Sequence, residues 1–205
     1  HKTDKPYNPY QRVYQERLEL HYPNILPFIQ EAGITDYRKA YQRLRSVEQI
    51  LPIYQTNMNS TTAYGRMAII ATMAKNGELM EFKILNAAVP LTPHDIAIIM
   101  TNAAQNGHTD LLDWVYDTFD YLPDIDDLNG SYLYPQVWIW AAERGLIPDS
   151  DGANSMCLSG DISMLEWLEE QNVLPTPEGA DTAASVGDYD VLNWLAERNI
   201  LPRRR

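Results

Sequence analysis

Apolar residues recur every three to four positions along most of this 205-residue chain, which is the spacing of one face of an α-helix. Glycine, proline or an Asn-Gly pair follows most of these segments and marks their ends. The pattern therefore predicts an all-α protein of short helices joined by short loops. The segments predicted to be helical upstream of residue 149 are 9–22, 25–32, 36–50, 63–75, 78–87, 92–105, 109–119 and 135–144.

The most regular part of the pattern is an internal repeat in which residues 149–175 align with residues 176–202. An aromatic residue followed eight residues later by proline extends this signature upstream. Each unit consists of a short helix of small residues, a glycine turn, a second helix with the aromatic residue, and a Leu-Pro exit. Such a pair of helices cannot bury its apolar face alone, so we expect the units to stack. The matched positions include Gly160/Gly187, Asp161/Asp188, Trp167/Trp194, Asn172/Asn199 and Pro175/Pro202, and the upstream pairs are Phe82/Pro90, Trp140/Pro148 and, with one residue inserted, Trp114/Pro123.

Two kinds of motif in these units resemble the ankyrin repeat family, in the divergent form common in large DNA viruses of eukaryotes. One is the helix start Thr92-Pro93-His94, which returns as 176–178, and the other is the turn and second helix at 106–114, 159–167 and 186–194. The resemblance implies an ankyrin-like helical-repeat solenoid of stacked helix-turn-helix units with short loops. It also implies capping and turn hydrogen bonds for His94 and His108. The units here are mostly 26 or 27 residues long, against about 33 in the family, and the unit at 130–148 has no recognisable first helix before Pro135.

The same pattern divides the chain into four parts. Residues 1–8 are expected to form a flexible arm, and 9–54 an N-terminal helical segment that serves as a cap or as degenerate repeats. A polar linker at 55–62 then precedes the ankyrin-like repeat array at 63–202, and 203–205 form a basic tail. Eight of the 13 tyrosines lie in the first 64 residues. They either pack the cap or, with nearby Arg and Lys, form a patch that binds a partner.

Charge narrows the classes of partner. The net charge is −12, and residues 61–202 carry 5 Lys/Arg against 22 Asp/Glu. Such a surface repels phosphate backbones, so we expect no nucleic acid to bind the repeat region. It attracts a basic protein surface by electrostatic steering, unless its only role is to keep the chain in solution. No apolar run approaches the roughly 20 residues that span a bilayer, so we expect no membrane association.

The single cysteine, Cys157, is expected to be a buried thiol in a reducing intracellular compartment. We expect the cytoplasm, or the host cytoplasm if the protein is viral. The sequence begins at His1 and not at methionine, which is expected of a processed or trimmed chain.

Candidate chemistry is sparse. The histidines lack partners at metal-ligand spacing, and no phosphate-binding loop, dinucleotide fingerprint or nucleophile elbow occurs. The acidic stretch 120–131 suggests calcium, but counting from Asp124 places Leu128 and Pro135 at ligand positions. We therefore interpret that stretch as a solvated turn and expect no catalysis, cofactor or metal. The tryptophans are predicted to be core, so that Trp167→Ala would cost about 3–5 kcal/mol.

These observations favour a non-catalytic scaffold that mediates protein–protein interaction through its solenoid surface. The alternative is a structural subunit of a larger assembly such as a viral particle, which docks through the tyrosine-rich segment or the arms at 1–8 and 203–205. The candidate partner-binding residues are the polar side chains on the side of the first helices and turns: Asn102, Gln105, Asn106, His108, Asn154, Asp181 and Ser185.

Overall fold

A computed structural model describes residues 9–23, 26–31, 35–45 and 60–203. Within these ranges the chain is helical and contains no strand, which confirms the all-α prediction. None of the helices described is both long and apolar enough to cross a bilayer. The helices are α1 Pro9–His21, α2 Leu26–Glu31, α3 (helical residues 37–45), α4 Ser60–Lys75, α5 Leu79–Ala88, α6 Pro93–Ala104, α7 Thr109–Phe119, α8 Ile125–Asn129, α9 Pro135–Ala142, α10 Ser150–Ser159, α11 Ile162–Glu170, α12 Pro177–Val186 and α13 Tyr189–Glu197.

By its internal contacts the chain divides into two compact units. The first contains the described residues up to Ile69 together with Met80–Thr92, and the second contains Ile70–Leu79 and the residues from Pro93 onward. The predicted arm at 1–8 and most of the predicted linker at 55–62 lie outside the described residues. Residues 60–62, predicted as the end of that linker, instead belong to α4. The predicted boundary between 54 and 63 otherwise stays a prediction.

Aromatic side chains join α1 to α3 in the first unit. The ring centroids of Tyr14 and Tyr41 lie 5.8 Å apart, those of Tyr22 and Tyr41 5.9 Å apart, and those of His21 and Tyr41 6.2 Å apart. Leu18 of α1 is fully buried. Tyr22 is buried, and Tyr14 and Tyr41 are half-buried, so these three of the clustered tyrosines pack between helices.

The second unit contains four helix pairs. Each first helix packs against its own second helix, as α6 against α7, α8 against α9, α10 against α11 and α12 against α13. The first helices also pack one against the next, in the order α6, α8, α10 and α12, which we call the first-helix row. On the other side, α7 packs against α9 and α11 against α13. The predicted stacking of helix pairs is therefore present in this unit.

Helix α8 corrects two predictions. The stretch 120–131 is not simply a solvated turn, because Ile125–Asn129 form a helix within it. Asp124 caps that helix by accepting from the Asp127 N–H at 2.9 Å. Leu128 and Ser131 are fully buried. The unit at 130–148, expected to lack a first helix before Pro135, thus obtains one from upstream residues.

The repeated Gly and Asn positions are explained by backbone geometry. Gly107, in the turn between α6 and α7, has φ +76°, and Asn172 and Asn199, at the exits of α11 and α13, have φ 62° and 59°. Gly145 occupies the equivalent exit position after α9, and Asp120 occupies it after α7, one residue late because of the insertion. Glycine and asparagine are the residues that adopt this left-handed conformation most readily. Each exit therefore reverses the chain over few residues.

The tryptophans divide into two groups. Trp138 is fully buried, and its Nε1–H donates to the Leu128 carbonyl at 2.8 Å and to Ser131 Oγ at 2.9 Å. Trp140 and Trp194 are buried as well. Trp114 and Trp167 are only half-buried. The prediction that the repeat tryptophans are core residues therefore holds for Trp140 and Trp194 and only in part for Trp114 and Trp167. Trp138, which lies outside the repeat signature, is the most deeply buried of the five.

Candidate interaction surface

Two buried asparagines connect neighbouring first helices. Asn154 of α10 accepts from the N–H groups of Thr176 at 2.8 Å and Gly179 at 3.0 Å, and its amide donates to Thr176 Oγ1 at 3.0 Å. Asn129 of α8 donates to Asp149 Oδ1 at 2.8 Å in the same way. Each asparagine thus supports the N-terminus of the next helix in the row, where backbone N–H groups lack partners within the helix. Asn154 was predicted to bind a partner, and this connecting role was not predicted.

Arginines connect the second helices. Arg198 stacks on Trp194, with its Cζ atom 3.8 Å from the ring centroid, and donates to both carboxylate oxygens of Glu169 on α11 at 2.7–3.0 Å. Its hydrogen bonds lower the pKa of Glu169. Arg144 stacks on Trp140 and pairs with Asp113 of α7 at 2.8 Å. The stacked Trp-Arg pair, spaced four residues apart, therefore supplies contact between units on this side.

Three of the remaining polar residues singled out from the sequence form hydrogen bonds within the protein. The side-chain amide of Asn102 donates to the Ile98 carbonyl and that of Asn106 to the Asn102 carbonyl, both at 2.8 Å. His108 Nε2 lies 2.7 Å from the Lys75 carbonyl oxygen, so this ring connects consecutive turns. Gln105 is exposed. His94, for which the resemblance implied a capping bond, is also exposed.

A groove of about 520 Å³ runs between the outward faces of α10 and α12. Three residues predicted to bind a partner, Asn154, Asp181 and Ser185, line it together. The other four predicted residues do not belong to its lining. The rest of the lining was not predicted from the sequence, although several of its residues lie three or four positions from a predicted one. These residues are Tyr132, Asp151, Ser155, Leu158, Glu178, Thr182 and Arg203.

A second depression, of about 600 Å³, continues from Leu158 toward the turn between α12 and α13. Leu158, Val186 and Tyr189 line it and are 44%, 53% and 77% exposed. Asp188 and Asp190 flank them. We call the groove and this depression together the α10–α12 face. It combines apolar side chains with carboxylates, which is the composition of a surface for an amphipathic, positively charged ligand.

Arg203 occupies part of this face. Its backbone N–H donates to Asp181 Oδ1 at 2.9 Å, its Nε–H donates to Asp181 Oδ2 at 3.0 Å, and its Nη2 lies 2.6 Å from Glu178 Oε1. The hydrogen bond with Glu178 is the main cause that raises the pKa of Arg203. The predicted basic tail at 203–205 thus begins with a docked arginine, while 204 and 205 lie outside the described residues.

Two other reactive or ionisable side chains, those of Cys157 and Asp127, have structural environments. Burial raises the pKa of the Cys157 thiol to about 12, so that the reactive thiolate is suppressed at neutral pH. Asp127 accepts a hydrogen bond from the Thr101 hydroxyl at 2.9 Å. Within the described ranges, no three His, Cys, Asp or Glu side chains converge as ligands for a metal ion.

The sequence matches no protein-family model and no curated protein. The function of the chain is therefore inferred from the geometry of the α10–α12 face.

Proposed function

We propose that the chain is a non-catalytic, ankyrin-like repeat scaffold that binds another protein through the α10–α12 face. The observation that carries this proposal is the combination of an open groove with exposed Leu158, Val186 and Tyr189 beside carboxylates. Exposed apolar side chains clustered on one face, with a polar rim, are typical of protein interaction sites. The stacked helix pairs below supply a rigid support for such a face.

The proposal includes the type of partner and the setting. A partner with a basic surface fits the acidic groove, whereas nucleic acid does not, because Asp151, Glu178 and Asp181 would repel its phosphates. The family resemblance supports a protein partner, since repeat arrays of this kind present extended binding surfaces. A reducing cytoplasm, that of the host if the protein is viral, suits the free thiol of Cys157.

The test is affinity purification with two matched surface variants. The double variant Leu158→Ser/Tyr189→Ser removes apolar contacts from the α10–α12 face, and Ile139→Ser removes an exposed apolar side chain from α9. Quantitative mass spectrometry should identify a protein that wild type and Ile139→Ser retain and that the double variant loses. Circular dichroism confirms that all three chains are folded.

A protein retained equally by all three chains would contradict the proposal, because the α10–α12 face would then make no contribution. Repeating the purification at raised salt shows which force dominates. Loss of the partner at high salt indicates recognition by the carboxylates, and persistence indicates an apolar interface.

A second candidate function is a structural subunit of a larger assembly such as a viral particle. The observation that favours it is the exposure of Val13 and Leu20 on α1, at 46% and 76%, in the tyrosine-rich segment. These side chains offer an apolar contact for neighbouring subunits. Sedimentation velocity decides this point: concentration-dependent assembly that Leu20→Lys abolishes would support the subunit role, and a monomer at all concentrations would contradict it.

A further inference from the structure

The ligand chemistry of the α10–α12 face is indicated by the residue that already occupies it. The guanidinium of Arg203 contacts two carboxylates one helical turn apart, with Nε on Asp181 and Nη2 on Glu178. A planar group with several fixed N–H donors can engage both carboxylates at once, whereas an ammonium acts as a point charge. The arrangement therefore selects for arginine.

Comparison of two repeats separates the backbone contact of Arg203, which is repeated, from its side-chain contact, which is not. Arg203 stands 27 residues after Thr176, and Asp181 stands 27 residues after Asn154. The backbone N–H of Arg203 donates to Asp181 as that of Thr176 donates to Asn154. The Thr176 side chain caps its own helix, whereas the Arg203 side chain extends over α12. Its guanidinium can leave while the backbone bond remains.

The contact is also weak enough to exchange. The side chains of Arg203, Glu178 and Asp181 are 56%, 60% and 38% exposed. Ion pairs in such surroundings contribute little to stability because water and salt screen them. A ligand that brings an arginine and additional contacts can therefore displace this guanidinium.

The additional contacts lie beside the occupied carboxylates. Asp151 of α10 lines the same groove, and Leu158 joins that groove to the exposed Val186 and Tyr189. From these features we infer that the α10–α12 face binds a peptide segment of a partner in which arginine neighbours an apolar residue, and that Arg203 is a competing occupant supplied by the chain itself. This inference rests on the proposed function and specifies the ligand for the same surface.

A direct binding measurement tests the inference on the full chain. The probe is a fluorescein-labelled nonapeptide in which arginine alternates with leucine. Its binding is measured by fluorescence anisotropy at low salt. Its matched control replaces each arginine by citrulline, which keeps the shape and removes the charge. We expect the arginine peptide to bind at least roughly tenfold more tightly than the citrulline peptide, and a lysine peptide to bind with intermediate affinity.

Variants of the protein locate the binding. Arg203→Ala should strengthen binding several-fold because it vacates the carboxylates. Glu178→Gln/Asp181→Asn should weaken binding by roughly tenfold. The double variant Glu166→Gln/Glu170→Gln, with the same change of charge on exposed positions of α11, should leave affinity unchanged. If Asp181→Asn prevents folding, the single variant Glu178→Gln tests whether loss of a carboxylate weakens peptide binding.

Four outcomes would overturn the inference. Equal weakening by both double variants would reduce the effect to unspecific attraction by an acidic protein. Weaker or unchanged binding to Arg203→Ala would show that Arg203 does not compete. A dimer in sedimentation that excludes the peptide would assign the face to a second copy of the chain. A partner that is lost with Leu158→Ser/Tyr189→Ser but retained by Glu178→Gln/Asp181→Asn would refute the arginine inference while the scaffold function stands.

Discussion

At the residue scale, Gly107 shows how tightly consecutive units approach each other. Its φ of +76° is unfavourable for alanine and most other residues, and a Cβ atom placed there would lie 2.8 Å from both Tyr134 Cγ and Gln136 Nε2 of the next unit. We expect Gly107→Ala to lower the free energy of unfolding by about 1–3 kcal/mol beyond the backbone strain alone, because the ring and the amide must move. Urea denaturation followed by circular dichroism measures the loss.

Gly187→Ala is the matched control for this prediction. Gly187 has φ +74°, but no atom lies within 4 Å of a Cβ atom built there. The substitution therefore reports the backbone strain only, about 1–2 kcal/mol. Equal losses for the two variants would show that the contact between Gly107 and Tyr134 does not limit the packing of the units.

Asp127 is a second residue whose effect on stability can be measured, because its charged carboxylate is partly buried. Burial is the largest cause that raises its pKa, with a further contribution from Asp124, while the hydrogen bond from Thr101 acts in the opposite direction. An aspartate whose pKa is raised in the folded state costs no stability while it is protonated in both states. The cost appears as pH rises above the ordinary aspartate value of about 3.9. Asp127→Asn should therefore increase the free energy of unfolding at pH 7 by up to about 1 kcal/mol, after allowance for screening.

The pH dependence separates this cause from others. The difference between Asp127→Asn and wild type should be near zero at pH 3 and should grow toward pH 7. Asp126→Asn is the control, because Asp126 shares the first turn of α8 but is exposed. Loss of stability in Asp127→Asn at pH 7 would mean that the charge is favourable where it is.

At the element scale, the helical period was sufficient to locate most helices, because each buries one stripe of apolar residues. It missed α8, whose five residues include two aspartates and complete less than two turns. What holds that helix is tertiary: Leu128 is buried, and its carbonyl accepts from Trp138. Contacts supplied by another element leave no periodic signal in the segment itself.

The capping asparagines belong to the same scale, because they join one helix to the next. Asn154→Ala removes the acceptor for the N–H groups of Thr176 and Gly179, and Gly179 is buried. The Gly179 N–H keeps the Thr176 carbonyl as an acceptor at 2.9 Å, so the cost is that of the lost side-chain hydrogen bonds between the helices, about 0.5–1.5 kcal/mol each. We expect the free energy of unfolding to fall by about 2–3 kcal/mol in urea denaturation.

Asn102→Ala is the control for that measurement. Asn102 stands on α6 and its side-chain amide donates to Ile98 of the same helix, so its loss should change stability by no more than about 0.5 kcal/mol. A similar small effect for Asn154→Ala would refute its role as a connection between α10 and α12. Both residues were predicted from the sequence to bind a partner, because the sequence alone does not show whether a single polar side chain is buried.

At the scale of the whole molecule, the sequence predicted the stacking of helix pairs because the 27-residue repeat reports the register of successive units. It did not predict which surface would be accessible to a partner. The groove between α10 and α12 depends on where side chains of two units converge, and only three of the seven predicted residues line it. The contact between Arg203 and Asp181 could not be predicted for the same reason, because the two residues are 22 positions apart in the sequence.

Stacking with nearest neighbours predicts how the second unit opens. The α12–α13 pair packs mainly on α10 and α11, so weakening it should release that pair before the others. Leu195→Ala empties a fully buried position on α13, at a cost of about 2–5 kcal/mol. Hydrogen–deuterium exchange should then accelerate in α12 and α13 and stay unchanged in α6 and α7. Trp138→Ala, on α9 of the interior pair α8–α9, should instead accelerate exchange in the pairs on both sides. Uniform acceleration by Leu195→Ala would mean that the unit unfolds as one cooperative block, and the additive, repeat-by-repeat stability expected of a stacked array would be wrong.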